Sequence, residues 1–380
     1  MKKNYFITLL ILNIFAKTKI QIIGGGINYK GIENIGLNLF NVLQQDYEIK
    51  YSLTTGIDSK VFDAKFKKAL SESISNKNTT HDVAIYTTII GSCDTNDNII
   101  TQTNLIENAK KKIAVSMLEC NPIPDFWVEI INKTFDHVIV PCQWVKDTYL
   151  ESGVTRPITV IPLIVDEPKL KKITYKKNKF VFGSIGGLGE DKNLHKVAHA
   201  FGKLYGNNEK FKLILKISSN KNEDPALTKK IETICKKYSN IQLIWGFVSK
   251  ERLEEIMIKF DCFVLASRGE GFSLIPRQAI KMGIPCLISY NSAHRELCNM
   301  SIAKPILTNI ASPSNYRCFG SFVGTKYDCN IDDIKCAMKD LVKNYAQHVQ
   351  NLKQNLYLTK QWDKETVKKQ FINLIDHILT

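Results

Sequence analysis

The sequence SRGEGFSLIPRQAIKMGIPCLIS, at residues 267–289, predicts a turn, a helix and a β-strand in succession. The apolar run DCFVLAS (261–267) directly before it predicts another strand. Pro276 is tolerated in the first turn of a helix and Gly283 is typical of a helix end, so the helix is expected around and between them. A strand, a helix and a strand in this order favour a parallel sheet, in which both strands end at the same edge.

The turn around Glu270 places a carboxylate at that edge of the predicted sheet. The N–H groups of Gly271, Phe272 and Ser273 are expected beside it, and Ser273 is expected to cap the helix that follows. A carboxylate removed from water is costly unless a cation or a ligand binds it. Gln278 lies about one turn inside the helix, where it is expected to reach the same cleft. The turn is therefore a candidate binding site.

Short apolar runs alternate with helical patterns along the rest of the chain, and no period of 20 to 50 residues recurs. Strands are predicted at residues 19–26, 82–90, 111–118, 158–166, 180–187, 211–218, 240–248, 261–267 and 284–289, with a strand, a turn and a helix together at 137–153. This alternation predicts an α/β fold with two doubly wound parallel-sheet, Rossmann-like domains that face a cleft.

The predicted organisation has four parts. They are an apolar N-terminal extension at 1–18, a first domain at 19–168, a second domain at 176–345 and a C-terminal helical segment at 346–380. The lysine-rich stretch 169–179 is the predicted linker. The amphipathic helix predicted from residue 360 onward has no partner of its own, so it is expected to pack back across one of the domains.

Composition excludes several classes of protein. The chain has 380 residues, 44% of them hydrophobic and 23% charged, which excludes disorder, collagen and a polytopic membrane protein. Ten cysteines occur without a CxxC pair, which favours buried free thiols in a reducing compartment over zinc sites or a disulfide scaffold. The net charge of +15 favours phosphorylated small molecules, acidic lipid surfaces or nucleic acid as partners. No nucleic-acid-binding motif accompanies the charge.

The N-terminus is the one targeting candidate. Lys2 and Lys3 precede an apolar run at 5–16, which is shorter than the roughly 20 residues that a spanning helix needs. A structural or membrane-surface extension is the preferred interpretation, and a signal peptide is the alternative. With the basic net charge, the run predicts a cytoplasmic protein with peripheral attachment to an anionic membrane surface.

Three glycine-rich turns, at 24–26, 183–189 and 269–271, each follow a predicted strand and open a helix. Such a turn lets an anion approach the backbone and the N-terminus of the helix behind it. For any single turn, ordinary tight-turn chemistry is the alternative. Three turns in two similar domains favour a pyrophosphate ligand. The spacing does not fit a dinucleotide fingerprint, and Walker, GxSxG and HExxH motifs are absent from the sequence.

The segment GEGFSLIPRQAIKMGIP resembles the signature of retaining, nucleotide-sugar-dependent glycosyltransferases of the GT-B fold, specifically the family four group (glycosyl transferases group 1). Four further stretches resemble that group in the same order: GGG at 24–26, VIVPCQWVKDTYLESGV with VIPLIVD, SIGGLGEDKNL, and the region of Trp362, which is expected in the returning helix. The resemblance implies an N-terminal domain on the acceptor side, a C-terminal domain that binds the donor and a C-terminal helix that returns to the N-terminal domain.

Matching the motifs residue by residue implies a donor site. Lys192 matches the lysine that holds the donor diphosphate, Glu270 the glutamate that contacts the donor sugar, and Gln278 the position that holds the ribose. The implied catalytic residues are Glu270 and Lys192; the implied donor-binding residues are Gly26, Gly186, Gly187, Gly271, Phe272, Ser273 and Gln278; no metal is implied. Lys30 and Glu119 are candidate acceptor contacts from their position alone.

The chain departs from the family pattern at three positions. Gly187 stands where the family usually has a phosphate-binding arginine, Gln278 where it has glutamate, and Ile164 where it has glycine. The family histidine of the N-terminal domain has no counterpart that could be assigned. Loss of one charged group that stabilises the transition state raises the activation free energy by about 3 kcal/mol, which lowers the rate roughly a hundredfold. These departures favour a second interpretation, a catalytically weakened GT-B scaffold that still binds nucleotide sugars.

The sequence thus predicts a hexosyltransferase of glycan biosynthesis that moves a sugar, with retention and without a metal or other cofactor, from a nucleotide-diphosphate donor to a glycan, lipid-linked or protein acceptor. No DxD motif is present, and His195 and His199, four residues apart on one predicted helix, lack a third ligand, so packing or exposure is expected for both histidines. A basic nucleic-acid-binding protein is the remaining alternative, and nucleic acid is not expected as a partner.

Overall fold

Parallel β-strands form two six-stranded sheets in the computed structural model. The structure describes residues 17–26, 33–57, 64–74, 79–94, 98–172, 178–316, 319 and 322–380. The strand order is β2-β1-β3-β6-β7-β8 in the first sheet and β11-β10-β9-β12-β13-β14 in the second. Every neighbouring pair within these two sheets runs parallel. The prediction of two doubly wound parallel sheets is confirmed.

The first domain contains the strands β1 (Lys19–Gly26), β2 (Glu48–Ile57), β3 (His81–Tyr86), β6 (Ala109–Val115), β7 (His137–Val140) and β8 (Ile158–Val160), the small pair β4 (Ser92–Cys93) and β5 (Ile99–Ile100), and the helices α1 (Glu33–Leu43), α2 (Ala64–Glu72), α3 (Asp125–Thr134) and α4 (Gln143–Glu151). Its central strands are apolar on both faces because helices cover both sides of the sheet.

The second domain contains the strands β9 (Phe180–Gly186), β10 (Phe211–Ile217), β11 (Ile241–Trp245), β12 (Cys262–Leu265), β13 (Cys286–Ser289), β14 (Lys304–Ile306), β15 (Ile310–Asn315) and β16 (Phe322–Asp328), and the helices α5 (Leu194–Tyr205), α6 (Pro225–Lys237), α7 (Lys250–Met257), α8 (Leu274–Lys281), α9 (His294–Asn299) and α10 (Ile331–Lys343). The helices α11 (Tyr345–Asn355) and α12 (Lys364–Leu379) follow, separated by a 3₁₀ turn at Leu356–Trp362. All four residues of β12 are buried, so the strand anchors the beginning of the turn that follows it.

The last helix returns to the first domain, as predicted. Val367, Phe371, Leu374 and Ile375 of α12 are buried in the core that also contains the side chains of β1 and α1. The placement of Trp362 in that helix was wrong. Trp362 lies in the 3₁₀ turn before α12 and is buried in a core of the second domain, because the chain stays on that domain until Asp363.

The strand predicted at 158–166 was too long. Only Ile158–Val160 pairs in the sheet, whereas Ile161, Ile164 and Val165 are buried without strand pairing. Pro162 lies two residues after the strand and has no N–H group to donate to a sheet ladder. The apolar character of 161–165 therefore comes from the crossing between domains, where the N–H of Val165 donates to the carbonyl of Trp362 at 3.0 Å.

The antiparallel hairpin of β15 and β16 connects the two domains, and the sequence did not predict it. The Phe319 ring at its tip makes edge-to-face contacts with Phe126 and Trp127, on α3 of the first domain. The N–H of Thr325 donates to the carbonyl of Asn121 at 2.8 Å. The hairpin is thus a covalent part of the second domain that completes the core of the first.

None of the helices in the described ranges combines the length and the apolar character needed to span a membrane. The predicted N-terminal extension at 1–18 is outside the described residues except for residues 17 and 18. The candidate acceptor contact Lys30 is also outside them.

Candidate functional site

Lys192 and Glu270 form an ion pair, with 2.6 Å between the lysine Nζ and a glutamate Oε1. Glu270 lies in the turn after β12, at the carboxyl edge of the sheet, and Lys192 ends the short 3₁₀ turn after β9. The sequence predicts a cation or a ligand at Glu270, and the cation is Lys192. The two implied catalytic residues are therefore brought together from 78 positions apart in the chain.

Asn193 fixes the loop that carries Lys192. Its backbone is left-handed (φ 51°) and its side chain is fully buried. The side-chain amide donates to the carbonyl of Ala266 at 2.8 Å and to Asp328 at 2.7 Å. Because Ala266 directly follows β12, these bonds tie the lysine loop to the strand that presents Glu270.

The carboxylate of Glu270 is enclosed, since the residue is only 7% exposed. Its backbone N–H donates to the Ser292 hydroxyl at 2.8 Å, and its carbonyl accepts from the N–H of Ala293. Burial alone would lower the pKa of Lys192, but the carboxylates of Glu270 and Glu119 raise that pKa above its ordinary value. Lys192 is consequently a cation at neutral pH.

The Gly-Glu-Gly turn touches the first domain. A Cβ on Gly269 would lie 2.3 Å from the carbonyl oxygen of Glu119, and one on Gly271 would lie 3.0 Å from the side chain of Met117. A larger residue at 269 would force the two domains apart. The glycine sequence here is required by the close approach of the domains as well as by the shape of the turn.

Ser273 occupies the N-cap position of α8, but its predicted capping bond was wrong. Its side chain makes no hydrogen bond to the helix backbone, because the residue has a left-handed conformation (φ 67°). The hydroxyl instead contacts Nε2 of His294 at 2.7 Å, and Nδ1 of His294 contacts the hydroxyl of Ser289 at 3.0 Å. Burial lowers the pKa of His294 to about 3, so the imidazole is neutral.

Phe272 and Gln278 complete the predicted turn and helix. Phe272 is 2% exposed and packs under the guanidinium of Arg277, whose Cζ lies 3.7 Å from the ring centroid. Arg277 also lies near the Trp362 ring and within 3.7 Å of Glu296. Phe272 therefore has a packing role. The Nε2 atom of Gln278 is buried without a hydrogen-bond partner among the described residues, which leaves a donor available to a ligand.

The glycine turn after β9 contains the other predicted donor-binding residues of this domain. Gly186 is the last residue of β9, and Gly187 follows it. A Cβ on Gly187 would meet only the Ser219 hydroxyl, at an ordinary distance of 3.7 Å, so a Cβ is accommodated there without a clash. Gly183, assigned to the same turn from sequence, is inside β9, where a Cβ would clash with the Phe260 ring.

Gly26 ends β1 in the first domain and pairs with Ile57 of β2. The residues that follow it are outside the described ranges, and the donor-binding role of Gly26 stays a prediction. Packing requires glycine at the neighbouring position 24, because a Cβ there would lie 2.5 Å from the Tyr51 hydroxyl.

The sequence predicted neither Tyr316 nor Lys326 at the site, and it predicted Glu119 only from its position. The Tyr316 hydroxyl, on the connecting hairpin, donates to Glu119 at 2.7 Å. The Lys326 ammonium lies 4.2 Å from the centre of the Tyr316 ring and 2.7 Å from Asp191. A hairpin inserted after β14 left no sequence signal that it would reach Glu119, so these contacts are known only from the structure.

The two histidines of α5 are placed as expected. His195 is buried, which lowers its pKa to about 4, and His199 is half-buried. In the part of the chain that the structure describes, no three His, Cys, Asp or Glu side chains are grouped as metal ligands.

Residues 166–309 match the family model described as glycosyl transferases group 1. The match contains the sheet from β9 to β14, Lys192 and the turn with Glu270. The recognition of a group 1 glycosyltransferase domain from its motifs is thereby confirmed. Among curated protein sequences, none matches the chain significantly.

Solved glycosyltransferase structures resemble the whole chain. A glycosyltransferase from Rickettsia africae superposes with a TM-score of 0.68 at 13% identity, over 96% of this chain and 100% of that chain. Sucrose-phosphate synthase from Thermosynechococcus elongatus gives 0.68 at 11% identity, over 95% and 99%. Anabaena Alr3699/HepE in complex with UDP-glucose gives 0.66 at 12% identity, over 95% and 100%. At these identities the likeness is one of fold, and the fold is GT-B, as predicted.

Proposed function

We propose that the protein is a glycosyltransferase that transfers a sugar from a nucleoside-diphosphate donor to an acceptor held mainly by the first domain. The observation that carries the proposal is the 2.6 Å pair of Lys192 and Glu270 at the carboxyl edge of the second sheet. The group 1 family match over 166–309 supports it, and so does the fold shared with a protein that was solved with UDP-glucose.

Lys192 and Glu270 have separate roles in this proposal. The Lys192 ammonium binds the diphosphate and stabilises the charge that it gains on leaving. Glu270 is freed from Lys192 by the donor and accepts hydrogen bonds from the sugar hydroxyls. The bond between the sugar C1 and the diphosphate oxygen breaks, a bond from C1 to the acceptor oxygen forms, and the acceptor proton passes to the departing diphosphate. Retention of configuration is proposed from the family resemblance.

We further propose that no metal ion takes part, since Lys192 and the backbone N–H groups of the glycine turns neutralise the diphosphate. Activity should then survive chelation by EDTA. Loss of turnover with EDTA and recovery with magnesium or manganese would contradict this part of the proposal, while leaving the transfer reaction itself in place.

A thermal-shift screen with UDP, GDP, ADP and TDP, followed by turnover of the matching labelled nucleotide sugars, tests the proposed function. The wild type is expected to be stabilised by one nucleoside diphosphate and to release it from the corresponding nucleotide sugar. Lys192→Ala and Glu270→Ala should abolish turnover. Lys212→Ala, near the amino end of β10, should not. Stabilisation by none of the four nucleotides would contradict the proposal.

A weakened donor-binding scaffold is the second candidate function, and two observations favour it. Gly187 has room for a Cβ but offers no charge, and the amide of Gln278 is neutral. If the protein is such a scaffold, it should bind a nucleotide in the same screen but show no turnover.

Attachment to an anionic membrane, with a lipid-linked acceptor, remains a proposal that depends on residues 1–16. Deleting these residues should release the protein from anionic vesicles.

A further inference from the structure

Lys216 is a buried cation of the second domain that the site described above does not use. It lies on β10 and is 2% exposed. Its Nζ donates to the Ser218 hydroxyl at 2.6 Å and lies 5.9 Å from the centre of the Phe247 ring. Both contacts are with uncharged groups, so neither neutralises the ammonium.

The other buried lysine and arginine side chains among the described residues all have a carboxylate partner. These pairs, at 2.6 to 3.7 Å, are Lys172 with Asp261, Arg277 with Glu296, Lys281 with Asp363, and Lys326 with Asp191. Lys216 has no such pair within the described ranges. A buried ammonium without a counter-anion is costly, and burial accordingly lowers the pKa of Lys216 to about 8. An anionic ligand would remove that cost.

The segment that directly follows Lys216, which includes its hydrogen-bond partner Ser218, lies beside the glycine turn after β9. The N–H of Ser218, which directly follows β10, donates to the carbonyl of Gly186 at 2.8 Å. The hydroxyl of the next residue, Ser219, is 3.7 Å from the position of a Cβ on Gly187. Lys216 therefore points to the carboxyl edge of the sheet, next to a turn that a side chain does not fill.

We propose that Lys216 binds the diphosphate of the donor as a second cation, in addition to Lys192. This inference rests on the proposed function and names a residue that the motifs do not. Lys192 is already neutralised by Glu270, so it adds little net charge for a diphosphate until that pair opens. Lys216 offers a positive charge that is not neutralised in the free protein.

The test is isothermal titration of the Lys216→Met variant with UDP, GDP, ADP and TDP, each compared with its nucleoside without phosphate. For the nucleotide that the wild type prefers, the variant should bind the diphosphate roughly tenfold to a hundredfold more weakly and the nucleoside with unchanged affinity. Lys216→Arg should keep most of the diphosphate affinity. Lys212→Met, on the same strand, is the matched control and should change neither affinity.

Two results would overturn the role of Lys216. Equal weakening for nucleoside and diphosphate would mean that Lys216 contacts the nucleoside, and unchanged diphosphate binding would mean that it contacts no ligand. Both differ from failure of the proposed function, in which the wild type itself binds none of these nucleotides. Thermal unfolding of each variant checks the fold, and Lys216→Met should melt no lower than the wild type because it removes a buried charge.

Discussion

Replacing Glu270 with glutamine should tighten nucleoside-diphosphate binding while it removes sugar transfer. In the free protein the Lys192 ammonium donates to Glu270 at 2.6 Å, and a diphosphate has to displace that carboxylate. A hydrogen bond between charged groups contributes about 1.5–3 kcal/mol. Lys192 is one-third exposed, so solvent screening reduces the contribution here to about 1 kcal/mol. The expected gain is therefore roughly fivefold in affinity for the free nucleotide.

Isothermal titration with the preferred nucleoside diphosphate measures this gain. Lys192→Met should have the opposite effect and weaken binding by about tenfold, because it removes the cation. Asp82→Asn is the control, since it breaks an exposed ion pair of similar length, the 2.8 Å contact with Lys110 in the first domain. Weaker or unchanged binding by the Glu270→Gln variant would refute the idea that Glu270 competes with the diphosphate for Lys192.

Three further predictions concern the departures from the family pattern, the pH dependence of stability and the connecting hairpin. The glutamine at 278 should compensate for the missing arginine at 187, so Gln278→Glu should weaken nucleotide binding and Gly187→Arg with Gln278→Glu should restore it; tighter binding by Gln278→Glu alone, in the same titration, would favour a decayed site. His294 has a pKa of about 3 when folded against 6.5 ordinarily, so the unfolded chain binds the extra proton below 6.5 and the free energy of unfolding falls as the pH is lowered from 6.5 towards 3. Urea unfolding at pH 7 and pH 5 should show a smaller fall for His294→Gln, and an identical fall would contradict the neutral histidine. Phe319→Ala should lower the free energy of unfolding by about 3 kcal/mol, because it empties a packed aromatic site at the domain contact; a urea-unfolding loss of well under 1 kcal/mol would mean that the hairpin does not hold the domains together.

Much of the fold could be predicted because parallel strands buried on both faces appear as uninterrupted apolar runs. The strand at Lys19–Gly26 has the predicted bounds, and Phe180–Gly186 and Phe211–Ile217 differ by one residue from those predicted. Apolar runs that cross between domains look the same in sequence, which is why 161–166 was assigned to a strand. The hairpin at Ile310–Asn315 and Phe322–Asp328 has a mixed polar pattern, because its support comes from the other domain.

The candidate site was predictable where a motif fixes both residue type and local geometry. Glu270 and Lys192 were found in this way, since each follows a strand of the same sheet at its carboxyl edge. The proposed role of Lys216 could not be predicted from the sequence. A lysine inside an apolar strand differs from a surface lysine only by its burial and its missing carboxylate partner, and both are visible only in the structure. The partner of Ser273 was also unpredictable, since His294 reaches it from a different helix.

The most direct test of the central claim is a crystal structure of the protein with its preferred nucleoside diphosphate. The account predicts the diphosphate at the glycine turn of residues 186–189, with the Lys192 Nζ within hydrogen-bond distance of a phosphate oxygen and no longer bonded to Glu270. A diphosphate bound elsewhere, or a Lys192–Glu270 pair that persists at 2.6 Å beside the bound nucleotide, would contradict it.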